Sequence, residues 1–295
     1  MKEFKDIRPK NHRILNHPYL ALILLPLWCM VMASLIGGIV DGIATGYMDS
    51  YAGGIGTILA ALLCLAIHKR WFRGEFDGNL KVRNFLLGLL LLSPTVIFLV
   101  INLWGVPYST LTAGTVFNAL CMGAAPGVLE EIAFRGLAGS NFLRVWKEEE
   151  KIPLAATLTA IVFGAVHLAN IFAGAGVPAS INQAVYAFGG GVLFAAAYFR
   201  TGSLLPSILI HTLIDTSAFL NPEMMNAGGV ITESSFSWEM VITSLIGIGY
   251  GVLGYYFLRP AKRGEVLQLW SEKWTVPVSE ELPADAQQGT LYDEE

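Results

Sequence analysis

Apolar residues are grouped along the chain in eight blocks that are separated by short polar segments. Most blocks hold about 20 residues, the length of helix that crosses a hydrocarbon core about 30 Å thick. The pattern therefore predicts an all-α fold, a polytopic membrane helical bundle of about eight transmembrane helices. The predicted spans are residues 19–40, 53–67, 85–104, 114–138, 153–173, 181–199, 204–220 and 240–257.

The overall composition also indicates a membrane protein. Hydrophobic residues make up 54% of the 295 residues, and charged residues only 14%. Soluble domains carry about 25% charged residues, so this chain has too few charges to cover a surface that faces water. The composition excludes a soluble nucleic-acid-binding protein, a coiled coil and a disordered chain.

The positions of Lys and Arg predict how the chain is oriented. All of these 19 residues except Arg135 lie in connections or termini, and they occur only on every second connection. Because cytoplasmic loops are enriched in Lys and Arg, we expect a multi-pass protein of the cell membrane with both termini in the cytoplasm. The expected organisation is a basic cytoplasmic arm (1–18), a transmembrane domain (19–257) and an acidic, partly disordered cytoplasmic tail (258–295).

Three of the predicted spans contain ionisable side chains. Such a residue at the centre of a span costs roughly 2.5–3.5 kcal/mol on insertion scales, so its presence indicates a function. Because these residues are confined to three helices, the sequence predicts one shared site. They are Glu130, Glu131 and Arg135 in the fourth span, His167 in the fifth, and His211 and Asp215 in the seventh.

The spacing of these residues predicts how they pair. Glu131 and Arg135 are four residues apart and share one face of a helix, and the two residues of the seventh span have the same spacing. Glu130 is turned by about 100° from Glu131, so the two carboxylates are expected to have different roles. Pro126 precedes them by one turn, and a proline inside a helix kinks it. The kink is expected to open a water-accessible pocket beside the carboxylates.

This set of side chains suits hydrolysis. A carboxylate beside an imidazole can activate water, and we expect Glu130 and His167 to do so. His211 with Asp215 is expected to stabilise the developing oxyanion. The same four side chains form a two-His, two-carboxylate set that Zn²⁺ would accept, so a zinc-dependent reaction stays open and no cofactor is assigned. Both alternatives predict hydrolysis of an acyl or peptide bond without a covalent intermediate.

Three motifs carry a resemblance to a known family. They are Glu-Glu-x-x-x-Arg from Glu130 to Arg135, Phe-x-x-x-His from Phe163 to His167, and His-x-x-x-Asp from His211 to Asp215. In this order they resemble the motifs of the CPBP family, the CAAX-processing and bacteriocin-processing intramembrane endopeptidases, also called the Abi family. The resemblance covers a motif core at about residues 117–220.

The resemblance implies a helical intramembrane protease that opens toward the cytosol. In such a protease Glu130 and His167 activate water. The positioning residues would be Glu131, Arg135 and Phe163.

For the third motif, the resemblance implies that His211 and residue 215 stabilise the reaction intermediate. The family most often has Asn at the last position, where this chain has Asp215. An ionised Asp cannot donate a hydrogen bond. It must therefore be protonated, orient His211 or bind a metal ion.

The sequence thus predicts an intramembrane endopeptidase that cleaves a peptide or protein tail, lipidated or not, near the cytoplasmic side of the membrane. The expected partners are this substrate and membrane lipid, with no nucleic acid. One alternative is a non-catalytic membrane protein of the same fold that acts by binding, for example in peptide immunity. Another is a proton-coupled carrier. Intact motif residues favour the peptidase over the first alternative. Clustering on three helices and the lack of internal repeats favour it over the second.

Overall fold

The computed structural model describes residues 4–6, 13–44, 51–72, 81–273 and 275–277. Within these ranges the fold is all-α apart from one short strand pair, and each of the eight predicted spans coincides with helix. The α-helices are α1 (Arg13–Asn16), α2 (Pro18–Ala44), α3 (Tyr51–Phe72), α4 (Val82–Leu92), α5 (Val96–Trp104), α6 (Ala113–Glu130), α7 (Ser140–Val145), α8 (Ile152–Val166), α9 (Val177–Thr201), α10 (Leu205–Phe219), α11 (Pro222–Asn226), α12 (Trp238–Phe257) and α13 (Pro260–Lys273).

Several shorter elements complete the helical hairpins. The third predicted span combines two α-helices with a 3₁₀-helical segment, and the fourth and fifth each combine one α-helix with a π-helical or 3₁₀-helical segment. Two three-residue strands pair in antiparallel fashion. The short elements are 3₁₀ helices at Ser93–Thr95, Tyr108–Thr110, Glu149–Lys151 and His167–Ala173, a π helix at Glu131–Gly139, and strands β1 (Phe4–Asp6) and β2 (Thr275–Pro277).

Helix length and composition make this a multi-pass membrane protein. Six helical stretches in the described ranges are long and apolar enough to cross a membrane, and Leu205–Phe219 is apolar but shorter. The remaining predicted span lies in α9, which has 25 residues but carries Asn182 and Gln183 within its apolar sequence. The six stretches are Pro18–Ala44, Ala52–Lys69, Val82–Trp104, Ala113–Val145, Glu149–Ala173 and Trp238–Phe257.

Helix α9 lies at the centre of the bundle, where it contacts α12, α8 and α4. Every residue of α9 from Gly191 to Phe199 is buried. Toward α12 the helices approach so closely that a Cβ added to Gly189 would clash with the backbone of Gly247. Small residues that let helix backbones touch are a common means of packing helices in membranes. This contact therefore sets the position of α9 against α12.

Replacing Gly189 with Ala is expected to destabilise the protein by about 1–3 kcal/mol, because the added methyl group meets backbone that can move only if α9 and α12 separate. The neighbouring Gly190→Ala is a matched control, since a Cβ there would have no atom within 4 Å. Thermal unfolding in detergent micelles measures both variants. Equal melting temperatures for the two variants would contradict the close approach.

A second glycine contact joins α6 to α10 and positions the candidate site. A Cβ on Gly127 would lie 2.7 Å from the backbone nitrogen of Thr212, and Gly123 faces Thr216 in the same way. The two glycines are four residues apart, so they form one small-residue stripe along α6. Glu131 lies one turn beyond this stripe. The close approach therefore brings Glu131 alongside α10, where it contacts His211.

Candidate active site

Glu130 and Glu131 lie where α-helix changes to π-helix. Helix α6 ends at Glu130, and all nine residues of the π-helical segment Glu131–Gly139 are buried. Single π-helical turns are rare and frequently occur at functional sites. The sequence predicts a kink at Pro126. In the structure α6 continues through Pro126, and the irregular segment begins directly after Glu130.

A buried carboxylate connects the first motif to the third. Atom Oε1 of Glu131 lies 2.9 Å from Nη1 of Arg135 and 2.9 Å from Nδ1 of His211. Glu131 is fully buried and Arg135 is nearly so. The spacing of four residues predicts the contact with Arg135, whereas nothing in the sequence predicts the contact with His211. Because both contacts use one oxygen, the ion pair also fixes the orientation of the His211 ring.

The other ring nitrogen of His211 faces two further carboxylates. Nε2 is 3.6 Å from Oε2 of Glu130 and 3.5 Å from Oδ2 of Asp215. These distances exceed a direct hydrogen bond but are short enough for ion pairing when the ring is protonated. Asp215, Glu130 and His211 keep 27%, 18% and 14% of their side-chain exposure, whereas Glu131 keeps none. Nε2 is therefore directed into accessible space between two carboxylates.

His167 and Phe163 approach this group from α8. His167 begins the 3₁₀-helical segment at the end of α8, and its ring is 5.1 Å from that of Phe163. The Phe163 ring also lies 4.1 Å from the guanidinium carbon of Arg135, a distance at which the cation is attracted to the ring face. In the described part of the chain His167 is held by this ring contact and not by an ion pair.

All seven candidate residues border one cavity of about 510 Å³. A second cavity of about 410 Å³ lies beside it against α2 and α3, and Glu130, Phe163 and His167 border both. The structure thus places the residues of the three motifs around a common space. This is the arrangement that the confinement of ionisable residues to three spans predicts.

The larger cavity extends away from the basic connections. Beyond His211 it is bordered by the end of α10, by the connection between α11 and α12, and by the first turns of α9 and α12. The sequence places the basic connections in the cytoplasm, and the resemblance implies a site that opens toward the cytosol. Both expectations concern the orientation of the protein in the membrane, and both stay predictions.

Further cavity residues were not identified from the sequence. The ring of Phe194, on α9, is 5.7 Å from that of His211. Asn170 donates to Oε1 of Gln183 at 2.9 Å, which leaves one carboxamide oxygen and one nitrogen of the pair for a ligand. Gln183 and its neighbour Asn182 are polar residues inside an apolar span. Their positions carry a signal of their own, because polar residues inside a membrane span are costly even when they are not ionisable.

The described residues contain no group of three or more His, Cys, Asp or Glu side chains that could hold a metal ion. The zinc set suggested by the sequence is Glu130, His167, His211 and Asp215, and in the structure it surrounds a cavity without forming such a group. An accessible carboxylate beside an imidazole of fixed orientation is an arrangement that can move protons to and from water.

A comparison with known protein families finds a match in the part of the chain that carries the candidate residues of this cavity. A family model described as type II CAAX prenyl endopeptidase Rce1-like matches residues 112–217. No curated protein matches the chain. The matched range includes all seven candidate residues and nearly coincides with the motif core expected at 117–220. The resemblance seen in the sequence is confirmed: over residues 112–217 the chain carries a domain of the Rce1-like type II CAAX prenyl endopeptidase family, which is a family of peptidases.

Proposed function

We propose that the chain is an intramembrane endopeptidase that hydrolyses a peptide bond with water activated by Glu130. The observation that carries the proposal is the common cavity, because side chains from three separate motifs border it. The Rce1-like domain supports a peptidase and spans every one of these side chains.

In the proposed reaction, Glu130 takes a proton from the water that attacks the substrate carbonyl carbon and later gives it to the leaving amine. His167 borders the same cavities and holds that water from the other side. The Nδ1–H of His211 donates to Glu131, while the protonated ring offers Nε2–H to the oxyanion. Asp215, 3.5 Å from Nε2, stabilises the charged ring and does not need to donate a hydrogen bond itself.

Glu131, Arg135 and Phe163 act as positioning residues in this scheme. Arg135 keeps a counter-charge beside the buried carboxylate of Glu131, and Phe163 covers the guanidinium. A buried carboxylate without such a partner would carry a large desolvation penalty. The ion pair therefore allows the Glu131 carboxylate to stay buried and ionised in a fixed position, where it accepts a hydrogen bond from Nδ1 of His211.

We also propose that eight helices cross the cell membrane, with both termini in the cytoplasm. Besides the six long apolar stretches and the shorter Leu205–Phe219, helix α9 supplies the remaining membrane span. Its 25 residues give a length of about 38 Å at about 1.5 Å per residue. With Lys and Arg confined to alternate connections, the positive-inside rule places those connections in the cytoplasm. The proposed domains keep the boundaries expected from sequence, at 1–18, 19–257 and 258–295.

The proposed substrate is a peptide or protein tail, with or without an attached lipid. The description of the matched family as a type II CAAX prenyl endopeptidase refers to prenylated CAAX tails. The cavity of about 510 Å³ lies within the range of pockets that hold small ligands or short peptide segments.

The function is tested by comparing membranes from cells that make the wild-type protein with membranes from cells that make Glu130→Gln. Peptides released from each are analysed by mass spectrometry, after immunoblotting shows equal amounts of inserted protein. We expect a set of cleavage products that depends on the wild-type protein. Identical product sets from the two preparations would contradict a peptidase.

The zinc-dependent alternative makes a different prediction. If Glu130 and the imidazoles activate water without a metal ion, strong chelators should leave the cleavage rate of the purified protein unchanged. Metal analysis of the same preparation is the companion measurement. Stoichiometric zinc that is lost together with activity would instead support the metal-dependent reaction.

A further inference from the structure

The two cavities meet at the candidate site, and few side chains lie between them. Among the described residues, those that border both cavities are Glu130, Phe163, His167 and Asn170. The proposed reaction gives a role to the first three and none to Asn170. A peptide whose scissile bond lies beside Glu130 and His167 would therefore have Asn170 as a neighbour.

Asn170 follows His167 by one turn of a 3₁₀ helix, the segment His167–Ala173. Such a helix has about three residues per turn, so side chains three positions apart lie on the same face. With a rise of about 2 Å per residue, the two side chains are about 6 Å apart along the helix. An extended peptide advances about 3.3 Å per residue. Asn170 is thus level with a substrate backbone about two residues away from the bond that His167 faces.

The carboxamide of Asn170 is paired with that of Gln183 on α9. Its nitrogen donates to Oε1 of Gln183 at 2.9 Å, the one hydrogen bond that either carboxamide makes within the described part of the chain. Both side chains are half-buried. The pair forms because α8 packs closely on α9: a Cβ on Gly164 would lie 2.7 Å from the carbonyl oxygen of Ala184.

The pair keeps one acceptor and one donor for a further partner. One oxygen and one nitrogen are used in the bond between the two side chains, so one oxygen and one nitrogen remain. The remainder is the same in kind whichever side chain donates, because every carboxamide carries one of each. A substrate backbone inside a membrane protein needs such partners, since an unpaired backbone group is costly there.

The neighbouring Asn182 has a different role. Its carboxamide nitrogen donates to the hydroxyl of Thr243 at 3.1 Å, and its oxygen accepts from the hydroxyl of Ser244 at 2.8 Å. Both partners lie on α12, so Asn182 ties α9 to α12. Adjacent polar residues of α9 thus differ: Asn182 is used within the bundle, whereas Gln183 belongs to a pair that borders the cavity.

We propose that Asn170 and Gln183 bind the substrate backbone about two residues from the scissile bond. The remaining oxygen accepts a backbone N–H, and the remaining nitrogen donates to a backbone carbonyl, as a strand edge does for an added peptide strand. The recognised chemistry is an extended peptide backbone, independent of its side chains. This inference rests on the proposed function and adds substrate-binding residues to it.

Two variants that keep side-chain size, Asn170→Leu and Gln183→Met, remove the hydrogen-bonding groups. Each is expected to raise KM by about 3–10-fold, the effect of one lost hydrogen bond. Little change in kcat is expected, because the interaction binds substrate and transition state alike. The rates are measured on purified protein with the peptide identified in the membrane comparison. The combined variant should fold, because two apolar groups replace a hydrogen-bonded pair of the same shape.

A scan of the substrate backbone separates binding from a purely structural role. Ester analogues of the peptide replace one backbone N–H at a time with oxygen, at residues on either side of the scissile bond. With wild-type protein we expect one position, about two residues from that bond, where the ester raises KM by about 3–10-fold. With the combined variant the ester at this position should have no further effect. With the control Asn182→Leu, which should lower the melting temperature, the ester should keep its full effect.

Unchanged KM in both single variants would overturn the inference, and so would an ester effect that persists in full in the combined variant. Binding of the intact peptide to Glu130→Gln protein, with and without the same substitutions, should show the same loss of affinity without turnover. Identical cleavage products from wild type and Glu130→Gln would overturn the proposed function and this inference with it. Glu130-dependent cleavage that is insensitive to Asn170 and Gln183 would overturn this inference alone.

Discussion

Glu130→Gln is expected to lower kcat for peptide cleavage by about 10²–10⁴-fold, the usual contribution of a general acid–base group. The substitution keeps the shape of the side chain but removes the carboxylate that takes the proton from water. Glu130 keeps 18% of its side-chain exposure, so the neutral amide should fit without loss of fold. The rate is measured on purified protein with a peptide identified in the membrane comparison, and size-exclusion chromatography checks that the variant is monodisperse.

Glu150→Gln is the matched control for this experiment. It makes the same chemical change at an exposed position on the connection before α8, which borders neither cavity. We expect this variant to cleave at the wild-type rate. Cleavage by Glu130→Gln at the same rate as Glu150→Gln would remove Glu130 from the mechanism, even if other cavity residues were needed.

The helices and the ionisable side chains that border the cavity could be predicted from the sequence because they depend on local signals. The length of each apolar block predicts a membrane span. The high cost of an ionisable group in a membrane identifies Glu130, His167 and His211 among many apolar neighbours. A spacing of four residues predicts the ion pair of Glu131 with Arg135. Each of these inferences uses information within one helix.

Relations between helices could not be predicted in the same way. The oxygen of Glu131 that contacts Arg135 also contacts His211, a residue 80 positions away. This second contact forms because Gly127 lets α6 lie against Thr212 of α10. The run of glycines in α9 indicates close packing but not which residue makes it. Gly189 meets α12, whereas Gly190 borders the cavity. Such contacts follow from how the helices cross.

The direction in which the cavity opens is a second property of the assembled bundle. Depth along a single helix indicates how far His211 lies from each end, but not which end is covered. In the structure the cover on the basic side comes from α13, whose Trp270 packs against α9. The pair of Asn170 and Gln183 is a polar contact between spans, and polar residues inside a span carry a signal similar to that of ionisable ones.

The buried ion pair gives the second large expected effect, and a double-mutant cycle can separate its role in stability from its role in catalysis. Arg135→Met should destabilise the protein by about 3–5 kcal/mol, because it removes the guanidinium from the buried carboxylate of Glu131 and leaves that carboxylate only its contact with His211. Adding Glu131→Gln should restore most of the stability, since no uncompensated charge remains. Thermal or denaturant unfolding in detergent micelles gives the coupling free energy.

Activity should not recover together with stability. A neutral Gln at position 131 can still accept a hydrogen bond from Nδ1 of His211, but it no longer supports the protonated ring that the oxyanion needs. The control cycle uses Glu148→Gln and Lys151→Met, an exposed pair with an N–O distance of 2.7 Å, whose coupling should stay below about 1 kcal/mol. If the cycle for Arg135 gave the same small coupling, or if the stable double variant regained wild-type kcat, Glu131 and Arg135 would not have the positioning role proposed for them.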